Sequence, residues 1–460
     1  MIDKLPINWE WIPLGEYVEN HDAARVPVSS KEREERQGKY PYYGASGVID
    51  QIDGYTHQGE YLLLGEDGAN LLARSKPIAF LAKGKFWVNN HAHVLKCRGE
   101  APNAYLAYYL NRIDLAPYVT GTAQPKLSQA KMNKIPIPVA PLDQQKPIVA
   151  EIEKQFSRLD EAVATLKRVK ANLKRYKASV LKAAVEGKLT EDWRKQRPSV
   201  EPAEKLLERI LAERRCRWEE DQLSKFKDKG QELPKNWKAK YKEPAAPHST
   251  KLPPLPKKWC WATFDQTLWH LRSGTAETSR RESTDYPVLK SSAVRHGVID
   301  FGDLNFLRKS QSLRPENFLR RGDFLITRLS GSLDYVGCSA VVKDVACEGI
   351  QYPDRVFCGK LVTGTDGIYL CYCFQHSGIR KALEEAAKST AGHQRISMSD
   401  LYPLSLPLPP VAEQQCIVAE VERRLSVIEE LEATVEANLM RADRLRQSIL
   451  SQAFSGGLHT

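Results

Sequence analysis

The chain has 460 residues, 27% of them charged and 42% hydrophobic, the composition of a soluble globular protein and more sequence than one compact core needs, so two domains plus connectors are expected. A balance of 68 Lys and Arg against 57 Asp and Glu leaves a net charge of +11 and favours a polyanionic partner, nucleic acid first. No apolar run is long enough for a bilayer, and the opening MIDKLPINWEWIPLGEYV lacks the apolar core of a signal peptide; both speak against a membrane role and for the cytoplasm.

In chain order, Leu5-Pro6-Ile7-Asn8-Trp9-Glu10-Trp11 opens the first half with tryptophans expected to anchor it in its core. From Tyr40 to Leu95, short β-rich runs broken by glycine (PYYGASGVID, EYLLLGEDGAN, PIAFLA, KFWVNNHAHVLK) read as strands and turns, and Ala104 to Asn111 reads as a short helix. Pro141 to Leu189 then reads as one long helix, with Pro147 in its first turn and Gly187 as its stop. Ala203 to Trp218 is amphipathic and suggests an extra helix, followed by a Lys- and Pro-rich connector with little core of its own. Leu255-Pro256-Lys257-Lys258-Trp259-Cys260-Trp261 echoes the opening, and Gly322-Asp323-Phe324-Leu325-Ile326 resembles Gly59-Glu60-Tyr61-Leu62-Leu63. Pro410 to Leu458 then repeats the long helix without a gap at a shift of 410 − 141 = 269, placing Ile417-Val418-Ala419-Glu420 on Ile148-Val149-Ala150-Glu151 and Gly456 on Gly187. At the same shift Arg395-Ile396-Ser397 falls on Lys126-Leu127-Ser128. The repeat unit is therefore a variable α/β domain followed by a shared helix.

Each long helix carries a seven-residue apolar seam: Ile152, Leu159, Leu166, Leu173 and Val180 in the first, Val421, Ile428, Val435, Ala442 and Ile449 in the second. Phe156, Val163, Tyr176, Leu425, Leu431 and Leu445 are expected to widen these seams. Laid antiparallel, the basic run from Lys167 to Lys177 faces Glu429, Glu430, Glu432 and Glu436, and Asp160 and Glu161 meet Arg444 and Arg446; laid parallel, like charges meet. The expectation is an antiparallel coiled coil. In the plainer alternative each stripe packs on its own domain and the charges are solvated.

Catalytic signatures are missing: there is no Gly-rich phosphate loop, HExxH pair or GxSxG elbow, and no Asn/Asp-Pro-Pro-Tyr/Phe tetrapeptide. Pro353-Asp354 could start a metal-nuclease motif, but Cys358-Gly359-Lys360 puts Cys where an acid should stand. His91 and His93 alternate on one strand-like face without a third ligand and suit a nucleic acid better than zinc. Nine cysteines show neither disulfide nor zinc spacing and are read as reduced and mostly structural. Neither a catalytic centre nor a metal site is expected.

The layout of variable domain, shared helix, variable domain and shared helix, with Pro-Leu-x-x-Gln and Pro-Val-x-Glu-Gln ahead of the helices and Gly-Lys-Leu-Thr-Glu-Asp-Trp-Arg (Gly187 to Arg194) after the first, resembles the specificity subunit of type I restriction-modification systems. The resemblance implies an α+β protein with a pseudo-two-fold internal repeat: two α/β target recognition domains separated by two long helices paired as an antiparallel coiled coil. It divides the chain into a first recognition domain (1–140), central helix (141–190), extra helix and linker (191–254), second recognition domain (255–405) and C-terminal helix (406–460). It further implies a noncatalytic subunit that reads a bipartite, asymmetric double-stranded DNA sequence, one half-site per domain. The helices would dock two methyltransferase subunits that carry S-adenosylmethionine and methylate adenine, and motor-nuclease subunits where restriction accompanies modification; this chain itself would hold no cofactor.

One departure is that the second copy ends at Gly457-Leu458-His459-Thr460, without the appendage that follows the first. Expected DNA contacts are Tyr43, Ser46, Asn70, Arg74, Asn89, Asn90, His91, Gln124 and Lys126 in the first domain. In the second they are Ser292, Arg295, Arg328, Ser330, Gly331, Ser332, His393, Gln394 and Arg395, with Arg328 a candidate guanine reader worth ~1–3 kcal/mol. The competing readings are a coiled-coil scaffold with incidental charge and a stand-alone DNA-binding protein or nuclease.

Overall fold

The structure is a computed structural model that describes residues 5–121, 124–228, 230, 232, 234–247, 252–308, 313–345, 348–390 and 392–458. It is an α+β chain that divides into two units, residues 1–170 with 433–460, and residues 171–432. The two long helices, Leu142–Val185 and Val411–Phe454, each contribute one segment to each unit.

In the first unit a six-stranded sheet runs in the order Val18–Asn20, Ala92–Cys97, His57–Gly65, Ala79–Val88, Tyr40–Gly44, Gly47–Ile52. All neighbours are antiparallel except Tyr42 and Tyr43, which pair parallel with Trp87 and Val88. The helix Asn103–Arg112 covers one face of this sheet. Its Tyr105 and Tyr109 rings meet Phe454 of the second long helix edge-on at 5.0 and 5.2 Å, and Ile148, Val149 and Ile152 of the first long helix join the same core.

The second unit builds the same plan on a smaller four-stranded antiparallel sheet: Leu268–Ser273, Val356–Leu361, Phe324–Thr327, Ser339–Val341. The helix Gly367–Gln375 covers it, with Val180, Leu181, Ala184 and Val185 from the first long helix and Ile417, Val418 and Val421 from the second in one core.

The duplication extends to individual hydrogen bonds. Tyr105 Oη donates to the Pro138 carbonyl at 2.7 Å and Tyr369 Oη to Pro407 at 2.8 Å; Gln145 Nε2 donates to Ala140 O and Gln414 Nε2 to Pro409 O, 414 − 145 = 269 positions on. Trp9 and Trp259 are buried and donate from Nε1 to Gln144 and Glu413. One alignment made on the sequence shifts by a residue. Leu62 and Leu64 face the covering helix as Phe324 and Ile326 do, an offset of 324 − 62 = 262, whereas the Gly-Glu and Gly-Asp motifs give 322 − 59 = 263. A slip of one residue turns every side chain to the other face of a strand, and burial selects the former.

The long helices run antiparallel within each unit. In the first, Arg446 pairs with Asp160, and Lys170 Nζ lies 2.6 Å from Glu436. Leu159, Ala442 and Ile449 pack in one cluster flanked by Phe156 and Val163. In the second, Val180 and Val421 share a core, and Leu425 packs against it. All ten seam residues are buried or half-buried, but Tyr176, Leu431 and Leu445 are 48, 47 and 49% exposed and do not widen the seam. A two-helix contact has an apolar stripe too narrow to cover them.

The first long helix starts at Leu142, so Pro147 lies beyond its first turn, on the exposed face. Both long helices end in a left-handed glycine, Gly187 at φ +72° and Gly456 at φ +76°. The extra helix extends to Asp228, past the expected Trp218. Ala203, Leu206 and Ile210 bury it against Ala262, Val362 and Leu408, and the connector folds back so that Trp237 stacks on Trp218 at 5.9 Å. No described helix is long and apolar enough to cross a membrane.

Candidate nucleic-acid interface

At one end of the first unit's sheet, backbone bonds tie four loops together. Asn89 N donates to Tyr43 O at 3.1 Å, Glu66 N to His91 O at 2.8 Å, Leu127 N to Glu66 O at 2.7 Å and Gly68 N to Pro125 O at 2.9 Å. Gly65 permits the closest approach, since a Cβ there would lie 2.7 Å from the Ala45 carbonyl oxygen.

These bonds bring together seven of the nine sequence candidates, in different states. Asn90, His91, Gln124 and Lys126 are exposed, and Ser46 is half-buried in its hairpin turn. The Asn89 side chain is buried and shapes the turn by accepting from His91 N at 2.8 Å. Tyr43 packs its ring on Phe80 and Phe86, a core position, and burial pushes its hydroxyl pKa up. Asn70 closes its own loop by accepting from Lys76 N and Ser75 Oγ and donating to Lys76 O. Arg74 does not fit the expectation of a DNA contact: its guanidinium donates to the Leu110 and Ile113 carbonyls and closes the end of the Asn103–Arg112 helix. His91 and His93 do not share a face either. His91 precedes the strand and pairs with Asp67 at 2.8 Å, while His93 is buried, with Nδ1 2.6 Å from Asp22 and Nε2 2.9 Å from Leu127 O.

Beneath this rim Asp22, Glu66 and His93 converge closely enough to hold a cation. Protein cations already occupy the place: Arg25 reaches Glu66 at 2.7 Å and Asp22 at 3.3 Å, and Lys126 reaches Glu66 at 3.2 Å. Burial, the largest single influence, opposes ionisation of both carboxyls, but hydrogen bonds and nearby charge acting together, from His93, Val94 N and Arg25 on Asp22 and from Arg25, His93 and Lys126 on Glu66, outweigh it and hold both pKa values below the usual range.

The second unit repeats the stitching with other side chains. Arg328 N donates to Arg355 O at 2.8 Å and Ile396 N to Arg328 O at 3.0 Å, so Arg328 stands where Glu66 does and Arg355 where His91 does. Leu329 and Ser330 pair with Arg395 and Gln394 in a small three-stranded sheet. Ser292, Arg295, Ser330, Gly331 and His393 line one pocket beside it. Ser292 is exposed and bonds Asp303, and Arg295 lies 4.3 Å over the Tyr335 ring. Gln394 is half-buried, Arg395 is exposed, and Ser332 caps a short turn by accepting from Asp334 N.

Arg328 is the main correction. Its guanidinium donates to Asp354 O at 3.1 Å and lies 5.3 Å over Phe357, and burial, helped by nearby Arg395, pushes its pKa down. Half-buried, it supports the loop and does not line the pocket. Sequence reading missed Ser291 and Arg355, which line the pocket. The signal was present, since Arg355 precedes VFCGKL as His91 precedes AHVLK. Lys360, weighed above as part of a nuclease motif, pairs with buried Asp323.

Residues 6–175 match the profile of the type I restriction modification DNA specificity domain. The chain is 28% identical to the EcoKI specificity subunit of Escherichia coli K12 over 72% of its own length, a stretch spanning only 60% of that relative. It is 22% identical to the Escherichia coli EcoDI specificity subunit, with 99% of this chain and 90% of the relative covered. The crystal structure of the HsdS subunit from Thermoanaerobacter tengcongensis superposes with a TM-score of 0.50 at 17% identity, covering 99% of this chain and 98% of that one, a likeness of fold. The duplicated frame, the paired helices and these likenesses agree: residues 6–175 match a type I restriction modification DNA specificity domain, and the chain as a whole is similar to type I restriction enzyme specificity subunits.

Proposed function

We infer that the chain is the noncatalytic DNA-recognition subunit of a cytoplasmic type I restriction-modification complex and reads a bipartite, asymmetric sequence, one half-site per unit. The observation that carries this reading is that one hydrogen-bonded frame is built twice and displays two different sets of polar loop residues, Asn90, His91, Gln124 and Lys126 on one and Ser292, Ser330, His393 and Arg395 on the other. A repeated frame with variable loops suits two half-sites of different sequence. On this reading the paired helices and their flanks dock two methyltransferase subunits, which supply S-adenosylmethionine and methylate adenine. Motor-nuclease subunits join where the system also restricts. The test is a genome-wide map of methylated adenines in the host with and without the gene. Loss of one split motif is the expected result, and an unchanged map overturns the reading.

A further inference from the structure

The two rims differ in charge at equivalent positions. In the first unit His91 faces the Asp67 carboxylate at 2.8 Å, and Glu66 is neutralised by Arg25 and Lys126. In the second, Arg355 takes the place of His91, Arg328 that of Glu66, and Leu329 that of Asp67, as the pairing of Leu329 with Arg395 and the bridge of Asp67 with Lys126 establish. The second unit therefore places an arginine where the first has His91 and drops the carboxylate that His91 faces. Arg355 is exposed, and its guanidinium makes no hydrogen bond or ion pair with the described residues. It lines a concavity of about 140 Å³ with Ser291, Arg295, Ser330, Gly331 and His393, and none of the described residues lining it is acidic. A Cβ on Gly331 would meet nothing within 4 Å, so the backbone there is open to an approaching group.

We propose that this pocket holds a backbone phosphate of the DNA and that Arg355 is its cation, a contact that sets the register of the second unit on the duplex. The inference rests on the DNA-recognition reading above and adds a division of labour to it. Base edges lie inside a groove and are reached by protruding side chains, whereas a phosphate protrudes and fits a concave, cationic, hydroxyl-lined pocket. Arg295 is half-committed to the Tyr335 ring and the Val294 carbonyl, which leaves Arg355 as the uncommitted charge. The first unit, with its internally balanced ions, has no equivalent free cation at the position of Arg355, because His91 is paired with Asp67.

The experiment measures binding of the full-length chain to a mixed-sequence duplex over a series of salt concentrations. Arg355→Gln is expected to lower the slope of log K against log salt by about 0.9, the counterion release of one phosphate. It should weaken binding to all duplexes alike, whereas Arg355→Lys, which keeps the charge, should keep the slope. The exposed position gives both variants the wild-type melting curve, so a changed slope is not a folding effect. An unchanged slope in Arg355→Gln overturns the proposal, as does relaxed preference at a single base pair of the mapped motif with the slope intact, the mark of a base reader. Absence of salt-dependent duplex binding by the wild-type chain overturns the DNA-recognition reading as well, so the two failures are distinguishable.

Discussion

At the scale of single residues, the side chains with the right chemistry for DNA divide into those with internal partners and those without. Arg74 and Arg328 both close loops through carbonyl oxygens. Arg74→Ala should cost ~1.5–3 kcal/mol, the worth of charged hydrogen bonds, and lower the urea midpoint while leaving duplex affinity unchanged. Two half-buried histidines of the second unit give it an acid limit. Burial, with Arg272 and Lys360 adding, lowers His270 to about 4, and burial, with Arg380 adding, lowers His296 to about 4. Folded, both rings stay neutral down to about pH 4; unfolded, they take up protons near 6.5. The unfolded state binds more protons in that window, so stability falls as the pH drops from 6.5 towards 4. Urea midpoints at pH 7 and pH 5 should show the loss, and His296→Gln should reduce it.

At the scale of elements, the paired helices are held by their narrow seam and little by their surface charges. Ile449 is 4% exposed, and Ile449→Ala should cost ~2–4 kcal/mol in chemical denaturation, while exposed Leu445→Ala should change stability by less than ~0.5 kcal/mol. Reversing charge with Lys170→Glu breaks the pair with Glu436, but both side chains are about half exposed, and the cost should stay below ~1 kcal/mol. Helix ends are tied more firmly. The buried Glu413 carboxylate accepts from Thr190, Arg194 and Trp259, joining the start of the second long helix to the segment that follows the first. Its counterpart Gln144 accepts from Trp9. Glu413→Ala strands a partly buried guanidinium and should destabilise the second unit by ~3–5 kcal/mol, read from its unfolding midpoint.

At the scale of the whole molecule, a duplicated frame lets the two units diverge independently in what their loops present. On the DNA-recognition reading, substituting Gln124 and Asn90 should alter one half of the methylated motif and leave the other intact, and substituting Ser292 and Ser330 should do the converse. Adenine-methylation maps of the variant strains check both outcomes. A change in both halves from either pair would show that the units do not read separately.

The sequence by itself determined the repeat, the two long helices, their seam, their antiparallel charge match and their glycine stops. Each is a local or periodic property, legible wherever residues seven apart or 269 apart carry the same chemistry. Tertiary structure alone decided which polar side chains remain available. Tyr43 packs on Phe80 and Phe86, and Arg74 bonds to carbonyls more than 30 positions away, whereas Arg355 is left without a carboxylate partner among the described residues because its neighbour across the frame is Leu329 and not an acid. Burial and hydrogen-bond satisfaction depend on partners brought in by distant parts of the chain, and no spacing in the sequence encodes them.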